Sequence, residues 1–255
     1  MFVYPSLLSQ EVQLDLLDKL LHRDLCNPQH QTNLHLHNDI PYPTTKGGPD
    51  NLSFFDSTSQ EFILIPKDPS LHRPLPMRQA LDKKLRWMTL GGQYDWTNKV
   101  YPSSAPPPFP SDIKNLIESL FPMKAEAAIV NLYSPGDTLS VHRDVSEECD
   151  RPLVSISLGC EGIFVIALDE VDEHGFEKME AIRLRSGDAV LMSGKSRYAW
   201  HGVPKVLEGT CPFELESWPC IGPHSQPRAS DERFEAWRYW LKGKRINLNI
   251  RQMFA

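Results

Sequence analysis

Apolar residues recur at helical spacing in three segments of the chain. Over residues 9–21 and 111–120 they return every three or four positions, and Ser9 and Ser111 stand where an N-cap is expected. A third segment, residues 230–243, carries bulky apolar side chains at similar spacing. The pattern therefore predicts two helices in the first half of the chain and a last helix close to the C-terminus.

From residue 127 onward the apolar residues alternate or run in short blocks, which is typical of strands. Turn residues such as Pro, Gly, Asp and Ser separate the blocks. Helices followed by many short strands favour an α+β fold, in which a β-barrel or a double-sheet jelly roll carries a helical cover. The predicted strands cover residues 127–133, 139–142, 152–158, 162–168, 181–184, 189–192 and 245–253.

Composition narrows the class of protein. The chain has 255 residues, of which 40% are apolar and 24% charged, so we expect a globular protein of one domain, or of one domain with a lobe. Its five cysteines form an odd set without a C-x-x-C pair, which argues against a disulfide framework and a zinc finger. Neither a signal peptide nor an apolar run of about 20 residues is visible. We therefore expect an intracellular protein, nuclear or cytoplasmic, without a membrane partner.

Charge is unevenly distributed along the chain. A formal net charge of −6, taken alone, disfavours a nucleic-acid partner. Residues 228–251, however, hold seven basic side chains against three acidic ones. A local basic patch can contact phosphates although the total charge is acidic. A solvated helix face, together with arginines that bind a cofactor, would explain the same residues equally well.

Three residues have the chemistry of a metal site. His142 and Asp144 stand two residues apart, and His201 follows 57 residues later. Two imidazoles and one carboxylate can hold non-haem Fe(II) and leave coordination positions open for oxygen chemistry. In a strand, His142 and Asp144 would point to the same side. A buried His–Asp hydrogen bond is the alternative for this pair, and a zinc hydrolase is the competitor for all three ligands.

The segment RINLNIR near the C-terminus distinguishes an oxygenase from a hydrolase. If it is a strand, four polar side chains share one face: Arg245, Asn247, Asn249 and Arg251. Two guanidiniums on one face suit a small dicarboxylate such as 2-oxoglutarate, because each can form a forked pair with a carboxylate. The alternative is that Asp144 or a glutamate pairs with these arginines, since buried arginines are costly unless paired. Further hydrogen bonds to the same ligand could come from Asn131 and Tyr133.

Six segments occur in a fixed order over roughly the last two thirds of the chain: 131–144 (NLYSPGDTLSVHRD), 154–159 (VSISLG), 186–188 (SGD), 193–197 (SGKSR), 201–203 (HGV) and 245–252 (RINLNIRQ). In order and spacing they resemble the AlkB family of Fe(II)/2-oxoglutarate-dependent dioxygenases. Residues 86–91 (RWMTLG), residues 94–96 (YDW) and the RINLNIR ending resemble most the AlkB homologue one branch of that family.

The resemblance implies a double-stranded β-helix over residues 126–255, preceded by a helical extension and a nucleotide-recognition lid over residues 1–125, the two forming one structural unit. It implies Fe(II) bound by His142, Asp144 and His201. It implies 2-oxoglutarate with one carboxylate on each of Arg245 and Arg251, assisted by Asn131, Tyr133 and Asn247. O2 would take the last coordination position.

The resemblance also implies residues that contact the substrate. Trp96 occupies the position from which this family stacks on the substrate base, and Tyr94 is nearby; a core or lid aromatic is the alternative for Trp96. A stacking aromatic is physically reasonable, because the reacting base must leave its own stack. Ser146 departs from the acidic residue of the bacterial relatives, so their substrate preference does not carry over. Ala181 stands in place of a substrate-contacting arginine of those relatives, and the nearest substitutes are Arg183 and Arg185.

The activity implied is oxidative demethylation of an N-methylated base, for example N6-methyladenine or N1-methyladenine, in DNA or RNA. Its products are formaldehyde, succinate and CO2. We expect methylated nucleic acid as the partner and no obligate protein partner. Two alternatives are a hydroxylase or demethylase of protein side chains and a non-catalytic nucleic-acid binding module, although the complete set of ligands argues against the latter. The sequence does not decide between DNA and RNA.

Overall fold

The computed structural model describes residues 1–43, 53–95, 101–102, 105–147, 149–171, 177–223 and 231–254. In chain order, the strands within these ranges are β1 (Phe2–Tyr4), β2 (Asn38–Asp39), β3 (Ile63–Pro66), β4 (Leu75–Pro76), β5 (Trp87–Gly91), β6 (Ala127–Tyr133), β7 (Leu139–His142), β8 (Leu153–Gly159), β9 (Gly162–Val171), β10 (Glu177–Leu184), β11 (Ala189–Met192), β12 (Trp200–Val206) and β13 (Arg245–Arg251). The seven strands predicted from residue 127 onward are therefore confirmed, with shifted ends in four of them.

The largest sheet has six antiparallel strands in the order β1-β11-β8-β13-β6-β5. Strand β13 lies inside this sheet and pairs along its whole length with β6 on one side and β8 on the other. Its side chains alternate: Ile246, Leu248 and Ile250 are completely buried in the main hydrophobic core. The residues between them therefore point to the opposite face of the sheet.

A second sheet has four antiparallel strands in the order β10-β9-β12-β7. Side chains from strands of both sheets line one cavity, so the two sheets face each other across it. A small third sheet contains β2, β3 and β4. Two facing antiparallel sheets are consistent with the expected jelly roll.

Of the α-helices in the described residues, three precede β6 in the chain and one lies between β12 and β13. They are α1 (Gln10–Asp18), α2 (Met77–Gln79), α3 (Ser111–Leu120) and α4 (Phe213–Glu216). Helix α1 continues as a wider π-helical segment over Lys19–Asp24, and its leucines are buried in the main core. The backbone N–H of Val12 donates to the side chain of Ser9, which confirms the predicted N-cap. At α3 the N-cap is Pro110 rather than Ser111, which is already helical.

The first 125 residues are joined to the rest by strand pairing. Strand β1 pairs with β11, and β5 pairs with β6, so both edge strands of the six-stranded sheet come from this part of the chain. Main-chain hydrogen bonds therefore connect the N-terminal part directly to the sheet that carries β13.

The predicted helix over residues 230–243 is wrong for the part that the structure describes. Short 3-10 turns occur at Asp231–Arg233, Glu235–Trp237 and Leu241–Gly243, and the backbone between them is extended at Arg238 and left-handed at Tyr239. The apolar side chains used for the prediction are nevertheless buried. Trp237 and Trp240 both pack edge-on against one ring, that of Phe55, and this packing outweighs the helical period.

Two further expectations can be compared with the structure. All five cysteines are free thiols, as the odd count indicated. Within the described ranges, none of the helices combines the length and the apolar character that crossing a lipid bilayer requires.

The left-handed backbone at Tyr239, where φ is 67°, gives a test of the fold. A Cβ atom is unfavourable in this conformation by about 1–2 kcal/mol, and glycine avoids that cost. We expect Tyr239→Gly to have a larger free energy of unfolding than Tyr239→Ala, by about 1 kcal/mol in urea denaturation.

The same pair of substitutions at Arg238 is the matched control, because φ there is −49° and the residue lies next to Tyr239. At Arg238 alanine is expected to be the more stable of the two, since glycine has the greater freedom in the unfolded chain. An alanine variant as stable as the glycine variant at position 239 would contradict the left-handed conformation.

Candidate active site

A cavity of about 330 Å³ lies between the two facing sheets. Its size is that of a site for a small organic molecule. The polar side chains of β13 that were predicted to share one face line it together: Arg245, Asn247, Asn249 and Arg251. Apolar side chains from both sheets form other parts of the wall: Ile129, Leu139, Leu153, Phe164, Leu184, Met192 and Val203.

The three predicted metal ligands meet at this cavity. His142 ends β7, His201 lies in the neighbouring strand β12, and the two residues are directly paired across the strands. Their Nε2 atoms lie 3.7 and 3.9 Å from the two carboxylate oxygens of Asp144. One ligand atom from each of the three side chains lies within 4.8 Å of the others. Asp144 itself follows the end of the strand, so the expected β alternation does not place it.

Both imidazoles are oriented by main-chain carbonyl groups. The Nδ1 atom of His142 lies 2.8 Å from the Ser140 carbonyl oxygen, and that of His201 lies 3.0 Å from the Ala199 carbonyl oxygen. Because a carbonyl oxygen can only accept, each Nδ1 carries the proton and each Nε2 presents a lone pair. Burial lowers the pKa of His201, which favours the neutral form that binds metal.

The carboxylate of Asp144 is ionised and tied to β13. Arg251 donates to its Oδ2 atom at 2.7 Å, and Asn249 donates to the same atom at 3.3 Å. Burial acts to raise the pKa of Asp144, but Arg251 and the two imidazoles outweigh it, and the pKa falls to about 2. An anionic oxygen donor is therefore present between two imidazole nitrogen atoms.

Arg245 is a buried cation at another part of the cavity. Its side chain donates to Ser157 Oγ at 2.9 Å and to the Cys160 carbonyl oxygen at 3.4 Å, and its Nε atom has no hydrogen-bond partner. In the described part of the chain it forms no ion pair with a carboxylate. Burial lowers its pKa to about 10, so it remains charged at neutral pH. An unpaired buried guanidinium is costly and calls for an anionic ligand.

Strand β6 adds polar groups beside the first residues of β13. Tyr133 is paired with Arg245 in the sheet register, and Asn131 is paired with Asn247. The Tyr133 hydroxyl is buried without a hydrogen-bond partner in the described structure, so it is available to a ligand. Asn131 and Asn247 both line the cavity, and the Asn247 amide donates to Ser155 Oγ at 2.7 Å.

Sequence and structure comparisons assign the family. The model of the 2OG-Fe(II) oxygenase superfamily matches residues 1–251. This chain belongs to that superfamily. An N6-methyladenosine RNA demethylase of Pyricularia oryzae is 52% identical over 99% of this chain and 74% of its own length. A tRNA demethylase of Schizosaccharomyces pombe is 37% identical over 99% of this chain and 78% of its own length. Both similarities support the AlkB-like branch of the family.

A solved structure, that of OsALKBH1, has the same fold. Its TM-score is 0.54 at 20% sequence identity, and the match covers 98% of this chain and 95% of that one. At this identity the similarity concerns the fold alone. The family match, not this structural likeness, shows that the chain is a dioxygenase that uses Fe(II), 2-oxoglutarate and O2. The three candidate ligands fit Fe(II), because non-haem Fe(II) sites are formed by two imidazoles and one carboxylate.

The two arginines of this oxygenase differ in their partners. Arg245 has no carboxylate partner among the described residues. A residue that binds a carboxylate of 2-oxoglutarate has to be unpaired in this way. Arg251 pairs with Asp144 at 2.7 Å and with Glu147 at 3.3 Å, which is the alternative that the sequence left open for a buried arginine. Burial opposes its charge, but its acidic neighbours, led by Asp144, raise the pKa of Arg251 above its usual value.

The predicted substrate residues fall into three groups. Tyr94 and Ser146 both line the cavity, and the Ser146 hydroxyl donates to the Tyr94 hydroxyl at 3.3 Å. Trp96 lies outside the described residues. The structure does not bring Arg183 and Arg185 to the cavity: both side chains are exposed and both pair with Glu161. The reason is the alternation of β10, in which Leu184 points to the cavity and its neighbours point away.

Sequence reasoning missed four charged or aromatic residues near the site. Arg143 lines the cavity, and its guanidinium lies 4.9 Å from the ring centroid of Trp200. Glu147 and Arg197 form a buried ion pair beside Asp144. Their positions next to the predicted ligands and in the SGKSR segment are the signals that could have found them.

The geometry predicts that metal binding needs His201. We expect His201→Ala to weaken binding of Mn(II), measured anaerobically by calorimetry, by more than about 100-fold, because a loss of this size already accompanies removal of a group that only supports a ligand. His35→Ala, in which a half-buried histidine outside the cavity is removed, is the control and should bind Mn(II) as the unmodified chain does. A folded His201→Ala variant with unchanged affinity would remove this residue from the metal site.

Proposed function

We propose that the chain removes N-methyl groups from bases in nucleic acid, with His142, Asp144 and His201 as the metal ligands. The two relatives, an N6-methyladenosine RNA demethylase and a tRNA demethylase, support this substrate class. When bound, iron with 2-oxoglutarate and O2 supplies the oxidising power for hydroxylation of a methyl group. One oxygen atom enters succinate and the other enters the methyl group, which leaves as formaldehyde; CO2 is released and the base nitrogen regains its proton.

Arg245 is proposed to bind one carboxylate of 2-oxoglutarate, and this buried, unpaired cation is the observation that carries the proposal. The free hydroxyl of Tyr133 lies beside it in the sheet and would donate to the same carboxylate. Arg251 is proposed to contact the other carboxylate while it remains bonded to Asp144. Asn131 and Asn247 would complete the hydrogen bonds along the dicarboxylate.

The apolar part of the cavity wall would also keep water away from the oxidant. Seven apolar side chains from both sheets surround the polar groups. They offer water no hydrogen bonds, so bulk solvent has little to gain by entering beside the cosubstrate. A dry wall also strengthens the attraction between Arg245 and a carboxylate, because the local dielectric constant is low.

Arg143 and Trp200 form a surface beside the cavity that suits a nucleic acid, although the net charge of the chain is negative. Arg143 lies over the exposed indole of Trp200, and Asp169 binds both, at 3.3 Å from Arg143 and 2.8 Å from Trp200. Together they present a cation and aromatic surface next to two metal ligands. Single-stranded nucleic acids are bound by this combination of base stacking and phosphate contact.

The first 125 residues are proposed to act as the nucleotide-recognition lid over the core formed by residues 126–255. Tyr94 lines the cavity, and the Tyr101 hydroxyl accepts a hydrogen bond from Arg251 Nη1 at 3.3 Å. The two tyrosine rings contact each other edge-on at 5.3 Å between centroids. This part of the chain therefore reaches the cavity through Tyr94 and contacts Arg251 through Tyr101, which supports a role in holding the base.

A glycine gives a sharp test of the role of Arg245. A Cβ atom at Gly162 would lie 2.7 Å from Arg245 Nε, so the guanidinium of a Gly162→Ala variant must move. We expect the dissociation constant of 2-oxoglutarate to rise by roughly 10–100-fold, which is what the loss of a hydrogen bond to a charged group of about 1.5–3 kcal/mol gives.

Gly243→Ala is the control for this experiment, since nothing lies within 4 Å of its added methyl group. Binding of Mn(II) should be unchanged in both variants, because neither glycine contacts a metal ligand. Unaltered 2-oxoglutarate affinity in a folded Gly162→Ala variant would argue against Arg245 as the cosubstrate-binding residue.

The substrate class is tested by competition between nucleic acids and peptides. The iron-loaded chain is incubated with RNA and DNA oligonucleotides carrying N6-methyladenine, N1-methyladenine or N3-methylcytosine, and with methylated peptides. We expect loss of the methylated nucleoside by mass spectrometry together with formaldehyde, and no loss with His142→Ala. Turnover of peptides alone would show that the substrate class is wrong. Failure to consume 2-oxoglutarate with any substrate would favour a binding module.

A further inference from the structure

A buried chain of four charged side chains lies behind the candidate metal site. Asp144 accepts from Arg251 Nη2 at 2.7 Å, and Arg251 Nε lies 3.3 Å from Glu147 Oε1 in an ion pair without hydrogen-bond geometry. The other oxygen of Glu147 accepts from Arg197 Nη2 at 2.7 Å. The side chains of Glu147 and Arg197 are only 1% and 2% exposed, so solvent does not screen this pair.

Arg197 returns to Asp144 by a second route. Its Nη1 atom donates to the main-chain carbonyl oxygen of Asp144 at 2.8 Å, and its Nε atom donates to that of Arg151 at 2.9 Å. Asp144 is therefore held at its side chain by Arg251 and at its backbone by Arg197. One carboxylate, that of Glu147, connects the two arginines.

The geometry assigns a positioning role to Glu147 and Arg197. Arg251 has a planar fork that could bind both oxygens of Asp144 at once. In the structure Arg251 instead bonds to Oδ2 alone, while its Nε faces Glu147, and Oδ1 of Asp144 remains directed at His142. We propose that Glu147, held by Arg197, keeps Arg251 off the second oxygen of Asp144 and so leaves that oxygen to the metal.

The proposed role explains why the carboxylate of Glu147 is buried beside Asp144. Without the negative charge of Glu147, the only carboxylate in ion-pair contact with Arg251 in the described structure is that of Asp144, and a forked pair would compete with the metal for its lone pairs. Without Arg197, neither the direction of Glu147 nor the carbonyl of Asp144 is fixed. This inference rests on the metal ligands of the proposed function, but not on its substrate.

The test compares metal affinity with stability. We expect Glu147→Gln to weaken Mn(II) binding, measured by calorimetry without substrate, by about 10–100-fold, the usual effect of losing a group that supports a ligand. Glu147→Asp, which keeps the charge, should recover part of the affinity. Arg197→Lys should also weaken binding, because one ammonium group cannot reproduce three bonds to three separate acceptors.

Asp24→Asn is the matched control, since Asp24 is a buried carboxylate paired with Arg23 outside the cavity. It should lower the unfolding midpoint and leave Mn(II) affinity unchanged. If Glu147→Gln lowers the midpoint in the same way but binds Mn(II) normally, the chain of charges is structural only and the inference fails. If Glu147→Gln does not fold, normal Mn(II) binding by Arg197→Lys overturns the inference. Because no nucleic acid is present, these outcomes are separate from failure of the demethylation test.

Discussion

The pairing of β13 on both sides within the large sheet is the constraint on which the other features depend. Its two faces have opposite needs: Ile246, Leu248 and Ile250 fill the core, whereas Arg245 and Arg251 must face the cavity. A slip of one residue would exchange the faces and bury two guanidiniums among leucines. The registers with β6 and β8 therefore determine the fold and the position of the cavity charges at the same time.

The two arginines, six residues apart on one face, have opposite charge environments. Arg251 is compensated within the protein by Asp144 and Glu147, so its charge is available to orient the candidate metal ligand Asp144. Arg245 donates to a hydroxyl and a carbonyl and has no carboxylate in ion-pair contact within the described residues, so direct pairing of its charge is left to a ligand. This asymmetry gives the cavity a direction: the candidate metal ligands lie at one end and the unpaired cation at the other.

The strands and the candidate site residues could be predicted from the sequence where a local rule, such as alternation or residue type, is sufficient. Alternation identified β13, and residue type predicted three candidate metal ligands that the structure brings together. The rule failed where distant packing decides, as at Tyr239, where the backbone turns so that neighbouring tryptophans reach Phe55. It also could not find Glu147, since a buried carboxylate between two arginines looks in sequence like any exposed acidic residue.

The cavity combines side chains that are held by strands with side chains that lie in loops, and this difference is relevant to substrate selection. The candidate metal ligands and cosubstrate-binding groups come from paired strands, or are tied to them as Asp144 is, whereas Tyr94 and Ser146 lie outside the regular strands. Strand positions are fixed by main-chain hydrogen bonds to neighbouring strands, on both sides for β13 and on one side for the edge strand β7, but loop positions can change without loss of the sheet. We therefore expect selection among methylated bases to depend on the loop residues that line the cavity, Tyr94 and Ser146 among them, rather than on the strands.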